Sequence, residues 1–379
     1  MRVSILGTRG IPANHGGFET FAEHLAVYLT ERGHDVTVYC QSFTKELAGE
    51  DVWNGIRRVT LHGAPTPMGS IAFDLAAAFH ACKRRDTVLT LGYNTAIFSI
   101  LYRLSGNLSL MNMDGMEWQR EKWSRLQRFW LRLNERAGSL LSDHLIADHP
   151  EIGRYLSSFV PTNKISVIPY ESQPIINADS GLLEPYGLAP DGYALVVARP
   201  EPENSLLEIV QAFSRKPRGI KLIILGKFYP KVNRYHRQVM EAAGPEVLFA
   251  GPVYDQAAVQ ALRLFALVYI HGHRVGGTNP SLVESLAAGN PIIAHDNRFT
   301  RWVAGSEQEY FSDADNLSGI LDNLLDARPR LERMASASRA RHRVFFTPEK
   351  VLPIYEAVLL RFASSPDYKR ISSVRATSE

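Results

Sequence analysis

The sequence predicts an α/β protein built from two successive parallel βα arrays, and three observations carry that prediction. Short apolar runs at 3–6, 87–91, 193–198 and 267–271 alternate with stretches of helical periodicity. Glycine-rich loops follow a strand in each half, at 7–17 and at Gly276-Gly277. Open α/β sheets bind ligands at that end of a strand. A proline-rich, aperiodic stretch at 169–192 separates the arrays and reads as a linker.

The first array opens with strand 3–6 and the loop from Gly7 to Gly17. A helix over 18–32 follows, with Phe21, Leu25, Tyr28 and Leu29 at helical spacing, and then strand 36–40. Gly7 and Gly10 lack the dinucleotide spacing G-x-G-x-x-G, which argues against nicotinamide or flavin chemistry. Gly16-Gly17 before a helix either offers backbone N–H groups to an anion or permits a tight turn. Arg9 and His15 in that loop add a charge or a proton. Strands at 59–62, 87–91 and 108–113 alternate with helices at 70–84 and 96–104. The third of these strands ends in Asp114-Gly115, a site carboxylate or a plain Asp-Gly turn.

The stretch 118–136 interleaves Arg120, Lys122, Arg125, Arg128, Arg132 and Arg136 with Trp118, Trp123, Leu126, Trp130 and Leu133. As a helix it places Trp123, Leu126, Trp130 and Leu133 on one face. That pattern fits a helix beside an anionic lipid surface, and equally an amphipathic core helix with a charged outer face. Strands at 145–148 and 165–170 close the array.

The second array reads as strands 193–198, 221–226, 247–251 and 267–271, with helices at 205–214, 235–243 and 256–265. Arg199 leaves its first strand, well placed for a diphosphate or for a surface ion pair. Its central unit is Gly276-Gly277-Thr278-Asn279-Pro280-Ser281-Leu282-Val283-Glu284, then Gly289 and Pro291. Asn279 is a good N-cap, Pro280 suits the first helical position and Gly289 ends the helix. Such a helix start favours phosphate. Glu284, one turn in, can accept two ribose hydroxyls. Strand 308–311 and helices 317–327, 331–344 and 348–363 complete the chain. Asp313-Ala314-Asp315 reads as a helix cap rather than a metal motif.

Composition narrows the function classes. The chain of 379 residues carries 42 Lys plus Arg against 39 Asp plus Glu, a net +3, which gives no case for nucleic acid. Two cysteines, Cys40 and Cys82, form no disulfide framework or zinc spacing. The opening apolar run is short for a signal peptide, and no run approaches the ~18 residues that span a bilayer. The expectation is a cytoplasmic protein.

Four runs then stand together: Gly7-Thr8-Arg9-Gly10-Ile11-Pro12, Gly16-Gly17-Phe18-Glu19-Thr20, Asp114-Gly115-Met116-Glu117-Trp118 and Gly276 to Glu284. In this order they resemble family 4 glycosyltransferases, most of all bacterial rhamnosyltransferases of surface-polysaccharide synthesis. The resemblance runs from residue 1 to about 362. It implies a GT-B fold, two Rossmann-like domains facing a cleft, with the C-terminal helix crossing back to the first domain. The bounds expected are 1–172 for an acceptor domain and 173–346 for a nucleotide-sugar donor domain. Residues 347–363 form the returning helix and 364–379 a flexible tail.

The resemblance also implies retention of anomeric configuration, with no cofactor and no catalytic metal. The donor it implies is a nucleotide sugar of dTDP-rhamnose type. The acceptor it implies is a polyprenyl-diphosphate-linked sugar at the inner membrane face, with the enzyme peripheral there. Asp114, Arg199 and His15 are the catalytic candidates. Gly16, Gly17, Arg199, Lys227, Gly276, Gly277, Thr278, Asn279 and Glu284 are the donor-binding candidates. Trp118, Arg120, Trp123, Arg125 and Arg128 are the acceptor or membrane candidates. Two departures stand out. Gly276 occupies the first position of the wider family's E-x7-E pair, and Asn204 replaces the lysine five residues after Arg199. A nucleotide-sugar epimerase and a non-catalytic nucleotide-sugar-binding subunit remain as alternatives.

Overall fold

The structure, a computed structural model, describes residues 1–13 and 17–363. His15, Gly16 and the tail expected at 364–379 lie outside the described residues. The chain divides into two compact units. One comprises Met1–Trp118, Trp123–Pro169 and the chain from Val351, and the other Gln119–Lys122 and Tyr170–Lys350.

The first unit runs β1 (Arg2–Leu6), α1 (Gly17–Glu31), β2 (Asp35–Ser42), β3 (Gly49–Trp53), β4 (Ile56–His62), α2 (Pro67–Cys82) and β5 (Thr87–Leu91). It continues with α3 (Ser99–Ser105), β6 (Ser109–Asn112), α4 (Arg125–Leu141), β7 (His144–Ala147), α5 (Pro150–Leu156) and β8 (Ile165–Val167). The strands form one sheet in the order β3-β4-β2-β1-β5-β6-β7-β8, parallel except for β3. Val3, Ile5, Val38, Leu89 and Leu110 are buried, as near-continuous apolar strands covered on both faces require. The strand order reverses between β1 and β5, so the loops after those strands flank a switch point.

The second unit runs β9 (Tyr193–Val197), α6 (Leu206–Ser214), β10 (Lys221–Leu225), α7 (Arg234–Glu241), β11 (Val247–Gly251), α8 (Gln256–Leu264) and β12 (Val268–His271). Then come α9 (Pro280–Ala288), β13 (Ile292–His295), α10 (Arg298–Ala304), β14 (Glu309–Phe311), α11 (Ala314–Leu324) and α12 (Arg328–Phe345). Its sheet order is β11-β10-β9-β12-β13-β14, with every pairing parallel. Alternate residues feed two cores. Val196, Ile224, Ile270 and Ile293 pack beside Ile209, Phe213 and Leu321. Leu195, Ile223, Tyr269 and Ile292 pack beside Leu262, Leu282 and Leu286 on the other face.

The last helix, α13 (Pro348–Ala363), joins the first unit from Val351 onward. Its buried Glu356 accepts hydrogen bonds from Tyr28 Oη at 3.0 Å and Arg32 Nε at 2.8 Å, and lies 2.8 Å from His34 Nε2. Tyr355 Oη accepts from Asn112 Nδ2 at 2.9 Å.

The two-array architecture is as expected, and several elements differ. β3 pairs with β4 through Asn54-Gly55, both at positive φ (47° and 78°), which is the type I′ hairpin that Asn-Gly specifies. The short helices α5 and α10 carry ordinary start signals, Pro150 after His149 and the Asn297 cap. The helix expected over 118–136 begins at Arg125 and extends to Leu141. Ser124 and Gln127 form a reciprocal capping box that fixes its start, so Trp118, Arg120 and Trp123 precede it. Asp313 caps α11 by accepting the Asn316 N–H at 2.8 Å.

His144 is buried in β7, its Nε2 2.9 Å from Ser166 Oγ, and burial pushes its pKa down to about 4. Above pH 6.5 the imidazole is neutral in both folded and unfolded chains. Below it the unfolded chain binds a proton that the folded chain refuses until about pH 4. His144 therefore makes stability fall with pH across that window, by about 1.4 kcal/mol per unit. Urea unfolding of His144→Gln at pH 6.5 and 4.5 should show a correspondingly shallower loss than the parent chain.

Candidate functional site

In the second unit the sheet order reverses between β9 and β12. The loops leaving these adjacent parallel strands are the expected seat of a ligand. They touch closely. A Cβ on Gly272 would stand 2.2 Å from the Asn204 carbonyl oxygen, so only glycine fits there. The Arg274 N–H donates to Glu203 O at 2.9 Å, and Asn204 Nδ2 donates to Arg199 O at 2.8 Å. Asn204 thus holds the shape of the Arg199 loop. The Arg199 side chain is exposed beside it. Lys227 follows β10, exposed, with its ammonium 5.3 Å from the Tyr229 ring centre.

Beyond β12, the loop carries Gly276 at φ +148, with open space where a side chain would stand. Thr278 is buried, and Asn279 caps α9 by accepting the Ser281 N–H at 3.0 Å. Pro280 opens the helix and Gly289 closes it in the left-handed conformation. A small pocket beneath the loop is lined by His271, His273, Gly276, Gly277, Asn279 and Asn297.

Glu284 sits one turn into α9 and is tied to a group that the sequence did not single out. Arg263 of α8 is buried and donates to Glu284 Oε2 at 2.5 Å, Ser285 Oγ at 2.6 Å, Ser281 Oγ at 3.0 Å and Ser281 O at 3.1 Å. The Glu284 side chain keeps 38% of its surface exposed. One carboxylate oxygen is therefore anchored while the group still faces solvent. The chain of contacts continues inward from Ser281 Oγ to Tyr269 Oη (2.8 Å) and from there to His271 Nδ1 (3.4 Å). His271 stacks on His273 with centroids 4.3 Å apart and planes 9° from parallel. Burial drives His271 far down and His273 to about 3, so both rings are neutral at pH 7. Glu203 is a further buried group, and neither of its carboxylate oxygens has a hydrogen-bond partner among the described residues.

The first unit has its own irregularity. Asp114 follows β6 at φ 49, an uncommon conformation for a residue other than glycine. Its N–H donates to Asn112 Oδ1 at 2.9 Å. Tyr93 Oη donates to Gly115 O at 3.2 Å and accepts the Glu117 N–H at 2.9 Å, so the turn is braced from both sides. Gly17 opens α1, and the first-turn Glu19 accepts the Arg9 N–H at 3.1 Å. Trp118 Nε1 donates to Glu135 at 3.0 Å, and the Arg132 guanidinium lies 4.0 Å over the Trp118 ring. Arg125 is exposed, Arg128 and Trp123 are half-buried, and Arg120 groups with the second unit.

Residues 1–173 match a family model described as a domain of unknown function, DUF1972. No curated protein matches the chain. Solved structures do. A sucrose-phosphate synthase from Thermosynechococcus elongatus aligns with TM-score 0.80 at 16% identity, covering 96% of this chain and 100% of that one. HepE from Anabaena, solved with UDP-glucose, aligns at 0.73 and 16% identity, covering 95% and 100%. A glycosyltransferase from Rickettsia africae aligns at 0.69 and 14% identity, covering 96% and 98%. The fold is GT-B. Its two Rossmann-like units are those described above, and the switch point between β9 and β12 belongs to the C-terminal one.

Glu284→Ala removes the carboxylate bonded to Arg263 and leaves it only Ser281 and Ser285, a loss of about 2 kcal/mol for one charge-assisted hydrogen bond to a partly exposed partner. Glu284→Gln keeps an acceptor for Arg263 and should cost about 1 kcal/mol. Urea unfolding of the two variants beside the parent chain checks the order.

Proposed function

We propose that the protein is a retaining glycosyltransferase that moves a sugar from a nucleotide-sugar donor to a lipid-linked saccharide. The observation that carries this reading is Glu284, fixed by buried Arg263 one turn into α9 and still facing solvent. A carboxylate so held is preorganised to accept the vicinal hydroxyls of a ribose. Beside it, the start of α9 and the Gly276-Gly277 loop suit the diphosphate. Arg199, across the switch point, supplies a cation for the charge that grows on the leaving diphosphate. The Anabaena structures with UDP and UDP-glucose support a nucleotide sugar as the ligand class for this fold.

The finer reading is a donor of dTDP-rhamnose type and a polyprenyl-diphosphate-linked acceptor at the inner face of the membrane. No cofactor or metal is invoked. Its support is the set of four sequence runs that resemble rhamnosyltransferases. On the first unit, Asp114 is the group assigned to orient or deprotonate the acceptor hydroxyl. Its braced, left-handed backbone is the kind of stored strain that functional positions carry.

Incubation with a panel of nucleotide sugars and a lipid-linked acceptor tests the reading. The expected result is transfer from one donor, weakened roughly tenfold in donor affinity by Glu284→Gln and at least about 100-fold in turnover by Asp114→Asn. Neither transfer nor hydrolysis of any donor defeats it. Conversion of a donor with no acceptor present would make the protein an epimerase instead.

A further inference from the structure

α4 is built inside out. Its buried side holds Leu131, Gly138 and three polar residues, Asn134, Glu135 and Ser139. Each polar group there has a partner. Asn134 Oδ1 accepts the Ile97 N–H at 3.0 Å, and Ser139 Oγ donates to Glu135 O at 2.7 Å. Glu135 accepts from Trp118 Nε1 at 3.0 Å and from Tyr155 Oη at 2.8 Å. The opposite side is apolar and faces solvent. Leu126 is 79% exposed, Phe129 66%, Leu133 43% and Leu140 72%. These positions, with Trp130 between them, form one stripe along the helix. The adjoining α3 extends the surface with Ile100 and Leu104, and Arg103 Nη1 ties the two helices by donating to Leu140 O at 3.3 Å.

An outward apolar stripe of this length is a contact surface rather than scattered exposure. Its charge identifies the partner. Arg125, Arg132 and Arg136 run along one border of the stripe, and Arg103 lies on α3. The only acidic side chain on α3 and α4 is Glu135, and it is buried. An apolar band edged by arginines, with no exposed acid on either helix, is complementary to an anionic bilayer surface. Apolar side chains enter the headgroup boundary while guanidinium groups meet lipid phosphates.

We propose that the α3–α4 face docks this protein onto an anionic lipid bilayer, with Leu126, Phe129 and Leu133 entering the interface. The inference rests on the functional reading above and deepens it, because it names the surface that brings a lipid-linked acceptor within reach.

Co-sedimentation of the full chain with vesicles tests it, using phosphatidylcholine alone or mixed with phosphatidylglycerol. Binding should require the anionic lipid and fall with rising salt. The triple variant Leu126→Ser, Phe129→Ser, Leu133→Ser changes only exposed side chains and should keep the parent's thermal midpoint. It should bind at least tenfold more weakly, and so should Arg125→Glu with Arg132→Glu. Equal binding to neutral vesicles, no binding to anionic ones, or unchanged binding by both variants overturns the proposal. Analytical ultracentrifugation covers the remaining occupant: a self-association that the triple variant abolishes would assign the face to a second copy and overturn it too. Transfer to a soluble acceptor analogue separates this proposal from the functional reading. Transfer without vesicle binding rejects the docking face alone, and vesicle binding without transfer rejects the transferase reading alone.

Discussion

The second unit depends on how closely two loops approach at its switch point. Gly272 has no room for a side chain against the Asn204 carbonyl, and Arg274 and Glu203 are joined through their backbones. That contact fixes where β9 and β12 release the chain, hence where Arg199 emerges and where the Gly276-Gly277 loop begins. A rigid sheet centre converts one steric constraint into the placement of several functional groups. The buried Arg263 continues the same logic one layer down. It takes a costly charge out of water and recovers the cost through four hydrogen bonds, one of which sets the direction of Glu284.

Much of this was legible in the sequence because it is local. Asn279, Pro280 and Gly289 each act within one turn of helix, and their roles follow from cap geometry. The parallel strands announced themselves as apolar runs. The hairpin at Asn54-Gly55 was equally local, and its signal was present in the dipeptide. What stayed hidden is non-local. Arg263 reads as an ordinary outward residue of α8 until Ser281, Ser285 and Glu284 arrive from α9. Glu203, in a loop of alternating proline and glutamate, reads as solvated, yet it is buried.

The sense of α4 was hidden for a different reason. Periodicity shows that a helix has two unlike sides and does not say which one turns inward. The decision lay with distant groups: the Ile97 N–H, Trp118 and Tyr155 offered partners that made a polar side cheap to bury.

The position of Glu356 has a consequence for biosynthesis. Its partners Tyr28, Arg32 and His34 lie on α1 and the loop after it, and Asn112 on β6 pairs likewise with Tyr355. More than 300 residues separate Glu356 from Tyr28 along the chain. The first unit therefore lacks these pairings when its own strands leave the ribosome. Those pairings wait while the second unit is translated, because α13 follows it in the chain. A chain released early, after α12, would carry both sheets and still lack the helix that finishes the first.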